Sequence, residues 1–199
     1  MTTLGVSGHA PGDEPAAPVF HFDLGSPEAY LAAERVLQVM PVATPWVPVL
    51  ARDLGGAAGG PVDRDGLAAR AAEAGLQPLR WPDPFPFDSE LAMLAATYAR
   101  SIGRVVAFSL AAFRQAFAGG RALSGDDAVV IAGAACEMHP KALLTGCTTR
   151  GTRTALARET ALATARGVRG VPAVWLPDGR VFDGQDCLER AAAACGSAS

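Results

Sequence analysis

The sequence predicts an α/β fold in which a β-α-β unit opens the ordered part of the chain, a β-β-α unit closes it, and helices fill the middle. Short apolar runs bounded by proline or glycine lie near the two ends of the 199-residue chain. Between them, apolar residues recur at the spacing of a helix. Half of the residues are hydrophobic, so the chain can bury a core of domain size.

The first strand is predicted at residues 19–24, where the run VFHFDL lies between a proline and a glycine. The period changes at Ser26, and the apolar residues then fit one helix that extends to Met40 and stops at the following proline. The run TPWVPVLA is the second strand, and its two prolines place it at a sheet edge. This order of elements implies parallel strands joined by a right-handed crossover.

The middle of the chain, residues 62–165, is predicted to be a helical insertion. A glycine-rich loop leaves the first unit, and the proline-rich connection GLQPLRWPDPFPFDSE separates two of the helices. Helical spacing predicts helices at 67–74, from Ser89 onward, and at 108–117, 124–138, 140–144 and 152–167.

The closing segment VRGVPAVWLPDGRVFDG predicts a hairpin with strands at 173–176 and 180–182 around a Pro-Asp-Gly turn. A final helix is predicted to begin at Asp183 or Gly184. Residues 1–17 lack the basic start and apolar core of a secretory signal, so we expect a disordered leader and a cytoplasmic location.

Composition argues against several classes of function. The net charge of −3, with both signs scattered along the chain, does not suit a nucleic-acid groove, and no run of about 18 apolar residues predicts a membrane span. The four cysteines form no C-x-x-C pair, and only three histidines occur, so neither a dithiol centre nor a metal site is predicted. Neither nucleic acid nor a membrane is therefore an expected partner.

Two motifs carry a resemblance to a known family. The segment FDLGSPEAYLA is similar to the F-D-x-x-S-P-x-x-Y-L segment of 2-hydroxychromene-2-carboxylate isomerases and kappa-class glutathione transferases. The segment ARGVRGVPAVWLPDGRVFDGQDCLE resembles their closing segment. Both groups belong to the DsbA-like branch of the thioredoxin family. The resemblance implies a thioredoxin-like domain made of residues 18–61 and 166–199, with residues 62–165 as its helical insertion.

The resemblance also implies thiol chemistry at Ser26. Ser26 stands where redox relatives have their first cysteine and Ala29 where they have the second, which excludes dithiol exchange at this place. Ser26 would cap the helix and Pro27 would take its first position, so that the first-turn amides face a bound sulfur. The implied function is an isomerase or transferase. A thiol cosubstrate adds reversibly to an electrophilic aromatic molecule while Ser26 stabilises the thiolate.

Four more residues complete the implied binding site. Val171 and Pro172 would form a cis peptide that docks an extended ligand, Asp186 would meet the amino group of that ligand, and Gln185 precedes Asp186 on the helix. The family's asparagine has no counterpart in ARDLGGAAGG, and Cys187 replaces its arginine. Besides glutathione, another low-molecular-weight thiol such as mycothiol is therefore a candidate. The resemblance is also compatible with a homodimer.

Two rival functions stay open at this point. One is a DsbA-like thiol–disulfide oxidoreductase that uses a different cysteine, which would require Cys147 or Cys187 within bonding reach of Ser26. The other is a non-catalytic, thioredoxin-like binding protein.

Several residues also have a purely structural interpretation. Ser26 could serve only as a helix cap, and Asp186 could serve only to complement a helix dipole. His21, on a central strand, is expected to be a structural histidine whose hydrogen bonds are satisfied. An aromatic group in the proline-rich connection either walls a substrate pocket or packs on the core: Trp81, Phe85 and Phe87.

Overall fold

A four-stranded mixed sheet forms the centre of the fold. The computed structural model describes residues 17–56 and 62–196, so the predicted leader, apart from Ala17, lies outside the described residues. The strand order is β2-β1-β3-β4, with β1 parallel to β2 and antiparallel to β3, and with β3 antiparallel to β4. The strands are β1 (Val19–Phe22), β2 (Trp46–Pro48), β3 (Ala173–Trp175) and β4 (Val181–Asp183). As predicted, the proline-containing β2 lies at an edge.

Nine α-helices are found among the described residues, and none of them is long and apolar enough to cross a membrane. A π-helix, Arg114–Ala118, follows α5 directly. The helices are α1 (Pro27–Ala33), α2 (Val36–Val39), α3 (Arg64–Glu73), α4 (Glu90–Ser101), α5 (Val105–Phe113), α6 (Asp126–Ala134), α7 (Pro140–Thr148), α8 (Arg150–Ala165) and α9 (Cys187–Gly196). The predicted arrangement, β-α-β, helices, then β-β-α, is confirmed.

The prediction of a single helix from Ser26 to Met40 is wrong, because α1 ends at Ala33 and α2 begins at Val36. The two residues between them form ion pairs with distant parts of the chain. Glu34 accepts two bonds of 2.7 Å from Arg114, and Arg35 pairs with Glu189. The interruption therefore coincides with contacts to the π-helix and to α9.

The two faces of β1 pack against different layers of helices. Phe20 and Phe22 join the large core that contains side chains of α1, α4 and α5. Val19 belongs to a smaller core on the opposite face, which includes Ala163 of α8 and Trp175 of β3. The sheet is thus covered on both sides, and its central strands are fully buried.

Within the helical segment, α4 and α7 approach each other closely at Gly146. A Cβ atom built on Gly146 would lie 2.5 Å from ring carbons of Tyr98 on α4. Real Cβ atoms do not tolerate such a distance, so a side chain at this position would push the two helices apart.

We expect Gly146→Ala to lower the free energy of unfolding by about 1–3 kcal/mol, because the added methyl group overpacks this contact. The measurement is urea denaturation. The matched control is Gly151→Ala in α8, where the nearest atom to the new Cβ lies 3.9 Å away. That variant should be as stable as the wild type or slightly more stable, since alanine favours a helix. Equal effects of the two substitutions would contradict the packing argument.

His21 is buried and has no hydrogen-bond partner at either ring nitrogen among the described residues. The prediction that its hydrogen bonds are satisfied is therefore wrong. Burial is the main cause that lowers the pKa of His21 to about 4, and the charges of Arg166 and Arg100 act in the same direction, whereas Glu159 opposes them. The imidazole is neutral in the folded protein at neutral pH.

This pKa predicts a loss of stability in mild acid. Between pH 6.5 and 4 the unfolded chain binds a proton at His21 and the folded protein does not, so the free energy of unfolding falls as the pH falls. From pH 7 to 4.5 the His21 contribution is about 2 kcal/mol.

The measurement is denaturant unfolding of the wild type and of His21→Leu at both pH values. The variant should lose about 2 kcal/mol less than the wild type over this interval. Identical losses would contradict a neutral, buried His21.

Candidate active site

A buried carboxylate organises the end of β1. Asp23 Oδ1 accepts a hydrogen bond of 2.8 Å from the Gly25 amide, and Oδ2 accepts one of 2.9 Å from the Ala51 amide. The Ser89 side chain donates a third bond to the same carboxylate. Burial raises the pKa of Asp23, and the three donors oppose that rise. Asp23 therefore ties the turn after β1 to the segment that follows β2 and to the start of α4.

Ser26 begins α1 at the far side of this turn. Its backbone is extended, with φ −96° and ψ 118°, and its Oγ accepts the Ala29 amide hydrogen at 3.0 Å. Pro27 takes the first helical position, where its missing N–H leaves no bond unmade. The Ser26 hydroxyl donates its own hydrogen to Oε2 of Glu28, also at 3.0 Å. The hydroxyl is therefore fixed at the positive end of the helix dipole.

The peptide between Val171 and Pro172 is cis and immediately precedes β3. The antiparallel register pairs His21 with Ala173. Continuing this register by one residue puts Pro172 beside Phe22, the last residue of β1. The cis peptide and the turn that leads to Ser26 thus belong to the same end of the sheet. Pro172 is buried and accepts a bond of 3.0 Å from the Gly184 amide, while Val171 is half-buried.

A cleft of about 440 Å³ opens between α1, α3 and the start of α9. Its wall contains Glu28, the partner of the Ser26 hydroxyl, together with Gln185 and Asp186. Gln185 and Asp186 thus line the same cleft as Glu28, and Glu28 accepts the hydrogen bond from Ser26. Most of the other lining residues are charged or polar: Arg35, Gln38, Arg70, Glu73 and Glu189. Val171 and Pro172 do not line this cleft.

Inside this cleft Asp186 already has a partner. Its carboxylate accepts a bond of 3.1 Å from Nη1 of Arg70 on α3, and about two thirds of the side chain is exposed. Its main-chain carbonyl accepts the Arg190 amide hydrogen, which starts α9. The sequence signal for Asp186 did not reveal Arg70, because Arg70 lies 116 residues earlier in the chain.

Residues 19–195 match the family profile described as the DSBA-like thioredoxin domain. The chain belongs to the DsbA-like thioredoxin family. The family and the fold class predicted from the two sequence motifs are confirmed. A sequence comparison with curated proteins gives no match.

Solved structures similar to this DsbA-like protein include both isomerases and oxidoreductases. A 2-hydroxychromene-2-carboxylate isomerase superposes with a TM-score of 0.78 and 21% identity, covering 91% of this chain and 95% of that one. A probable DsbA oxidoreductase from Streptomyces coelicolor gives 0.72 and 17%, covering 92% and 90%. The cytosolic disulfide reductase DsbM from Pseudomonas aeruginosa, solved with GSH, gives 0.63 and 17%, covering 91% and 97%. At these identities the likeness shows the shared fold.

The thiols of Cys147 and Cys187 lie in environments that suppress their reactivity. All four cysteines are free. Cys187, the first residue of α9, is fully buried, and burial raises its pKa to about 12. Burial likewise raises the pKa of Cys147 to about 11. Both thiols are therefore protonated at neutral pH, and a protonated, buried thiol is a poor nucleophile.

The aromatic residues of the proline-rich connection pack against the core. Phe85 and Phe87 each contact the ring of Phe117, and Trp81 contacts Phe85 edge-on at 5.1 Å. Arg64 of α3 stacks over Trp81 at 4.5 Å. These contacts describe packing on the core, which is one of the two roles considered for this group. Among residues 17–56 and 62–196, no cluster of three or more histidine, cysteine or acidic residues could hold a metal ion.

Asp23 is the site residue that sequence reasoning missed, although the F-D pair of the first motif contained the signal. We expect Asp23→Asn to lower the free energy of unfolding by about 1–3 kcal/mol, because asparagine keeps only one acceptor oxygen and its NH2 group would face one of the two backbone N–H donors. Denaturant unfolding is the measurement. Asp53→Asn, on an exposed carboxylate two residues beyond Ala51, is the control and should stay within about 0.5 kcal/mol of the wild type. Equal stability of Asp23→Asn and this control would contradict the role assigned to Asp23.

Proposed function

We propose that this protein is a thiol-dependent isomerase or transferase that resembles 2-hydroxychromene-2-carboxylate isomerase. Its substrate would be an electrophilic aromatic small molecule, and its cosubstrate a low-molecular-weight thiol. The observation that carries the proposal is the Ser26 hydroxyl, which is held by the Ala29 amide at the first turn of α1. Redox relatives have a cysteine at the position of Ser26, so the sulfur of a bound thiol cosubstrate would lie next to Ser26.

A hydroxyl in this position can stabilise a thiolate without forming a covalent bond itself. A hydrogen bond to a charged partner contributes on the order of 1.5–3 kcal/mol, which lowers the pKa of a bound thiol by roughly one to two units. The positive end of the α1 dipole acts in the same direction. Ser26 would thus raise the thiolate fraction at neutral pH.

The reaction that follows is reversible addition to a conjugated double bond. The thiolate forms a C–S bond, and the electrons of the double bond move to the neighbouring carbonyl group as an enolate. The former double bond is then single and can rotate. When the enolate re-forms the double bond, the C–S bond breaks and the thiolate leaves, so the thiol is regenerated and the geometry has changed.

The remaining predicted residues would bind the thiol cosubstrate. The backbone of Val171, before the cis peptide to Pro172, would pair with an extended peptide-like ligand. Gln185 and Asp186 would bind its ammonium end. The ion pair between Arg70 and Asp186 would then either persist beside the ammonium group or break. Glutathione and mycothiol are the two candidate thiols. We further propose a cytoplasmic location, no nucleic-acid or membrane partner, and a homodimer.

The rival function is thiol–disulfide exchange, the activity named for two of the structural neighbours above. It needs a reactive cysteine near α1, and this chain has Ser26 and Ala29 at the two positions that the redox motif would use. Cys147 and Cys187 are buried and protonated. Turnover in a disulfide-reduction assay would favour the rival, and thiol binding without any turnover would favour a non-catalytic binding protein.

The test combines thiol binding with turnover of 2-hydroxychromene-2-carboxylate. At 100 times its dissociation constant, the correct thiol should stabilise the wild type by about 2.7 kcal/mol, measured by thermal unfolding. Ser26→Ala should lower kcat/KM by roughly 10- to 100-fold, since one hydrogen bond to the thiolate is lost.

Ser26→Ala also removes a helix cap, so a second cap variant is the control. Thr149→Ala removes the bond from the Thr152 amide at the start of α8 and should cost a similar 0.5–2 kcal/mol of stability. It should leave turnover unchanged. If neither glutathione nor mycothiol stabilises the wild type, the proposed function is wrong.

A further inference from the structure

We propose that Glu28 takes the proton of the incoming thiol and returns it when the thiol leaves. This inference rests on the proposed function and adds a second catalytic residue to it. It follows from the position of the Glu28 carboxylate beside the Ser26 hydroxyl, on the wall of the cleft that also contains Gln185 and Asp186.

The first observation is that the single hydroxyl hydrogen of Ser26 is already engaged. Oγ accepts from the Ala29 amide and donates to Oε2 of Glu28. A thiolate beside Ser26 can receive that hydrogen only if Glu28 gives it up. An ionised carboxylate is a strong acceptor, whereas a protonated one is a weak acceptor. Protonation of Glu28 is therefore the event that frees the Ser26 hydroxyl to turn toward sulfur.

The second observation is that no ion pair occupies Glu28 among the described residues. The charged groups that face it across the cleft are Arg35 before α2, Arg70 and Glu73 on α3, and Asp186 and Glu189 around the start of α9. Both arginines are engaged elsewhere, since Arg35 pairs with Glu189 and Arg70 pairs with Asp186. Glu28 is thus a half-buried carboxylate whose side-chain partner in the described part of the chain is the neutral Ser26 hydroxyl.

The proton balance closes within the site. The S–H bond breaks and an O–H bond forms on Glu28, while the Ser26 hydroxyl turns from Glu28 to the new thiolate. Sulfur then forms its bond to the substrate carbon. On elimination the C–S bond breaks, Glu28 returns the proton to sulfur, and the Ser26 hydroxyl returns to Glu28. No oxidant, reductant or net proton is required.

The test compares two thiols whose ionisation differs. Glutathione is mostly protonated at pH 7 and needs a base, whereas 4-nitrothiophenol is already ionised and does not. With glutathione, Glu28→Gln should lower the rate of 2-hydroxychromene-2-carboxylate turnover by about 10²- to 10⁴-fold, a loss that shrinks as the pH rises toward the thiol pKa. With 4-nitrothiophenol, the same variant should be at least as fast as the wild type, because no thiol proton reaches Glu28 and the ionised carboxylate of the wild type keeps the Ser26 hydroxyl hydrogen.

Two further variants separate this role from a general charge effect. Glu137→Gln makes the same chemical change on an exposed residue outside the cleft and should behave like the wild type with both thiols. Glu28→Asp keeps the carboxylate one methylene shorter and should recover part of the glutathione-dependent rate. Thermal unfolding checks that each variant is folded.

Three results would overturn the inference. Equal losses with both thiols would mean that Glu28 only supports the structure of the site. Faster turnover by Glu28→Gln with both thiols would mean that Glu28 opposes the thiolate by charge repulsion. A glutathione-specific loss in Glu73→Gln, and not in Glu28→Gln, would assign the proton to the other free carboxylate of the cleft. Failure of the proposed function is recognised separately, because then the wild type itself shows no turnover with either thiol.

Discussion

The buried Asp23 carboxylate is the contact on which the geometry of the site depends. Its two oxygens draw together three segments that are far apart in sequence: the turn after β1, the residues after β2 and the start of α4. The Leu24 amide adds a bond of 3.1 Å to the sulfur of Met93 on α4. The turn held in this way leads directly to Ser26, whose hydroxyl accepts the Ala29 amide at the start of α1. A charged group can be buried here because it receives several donors.

The same anchoring explains how a thioredoxin fold can lose its cysteines and keep a site. The helix dipole, the N-cap geometry and the cis peptide are properties of the backbone, so they persist when cysteine is replaced by serine and alanine. What changes is the molecule that supplies the reacting sulfur: a cysteine of the chain in redox relatives, and a bound thiol in the proposed function. In the proposed function Ser26 orients and stabilises a thiolate but cannot become one, and the thiols of Cys147 and Cys187 are buried and protonated. In the proposed function the reacting thiol is therefore supplied by a cosubstrate.

Features with a local cause could be predicted from the sequence. The edge position of β2 follows from its prolines, the end of α8 from Gly167 with φ of +92°, and the Ser26 cap from the Ser-Pro pair. The Ser26–Glu28 bond is also local, and attention to the first turn could have found it. Other features depend on distant partners. The break after α1 brings Glu34 to Arg114, 80 residues away, and the lack of a partner for the His21 imidazole depends on the residues that the fold packs around it. Such contacts leave no periodic trace in the sequence.

The bond between Arg70 and Asp186 joins α3 to the residue that precedes α9, and both side chains line the cleft. Because both side chains are about half exposed or more, salt screens this pair and its contribution to stability is small. A zwitterionic ligand end, with an ammonium and a carboxylate group, can replace each half of the pair by a group of the same sign. Such an exchange leaves the total charge of the cleft unchanged, whereas a purely anionic or purely cationic ligand would leave one protein charge without a counterion.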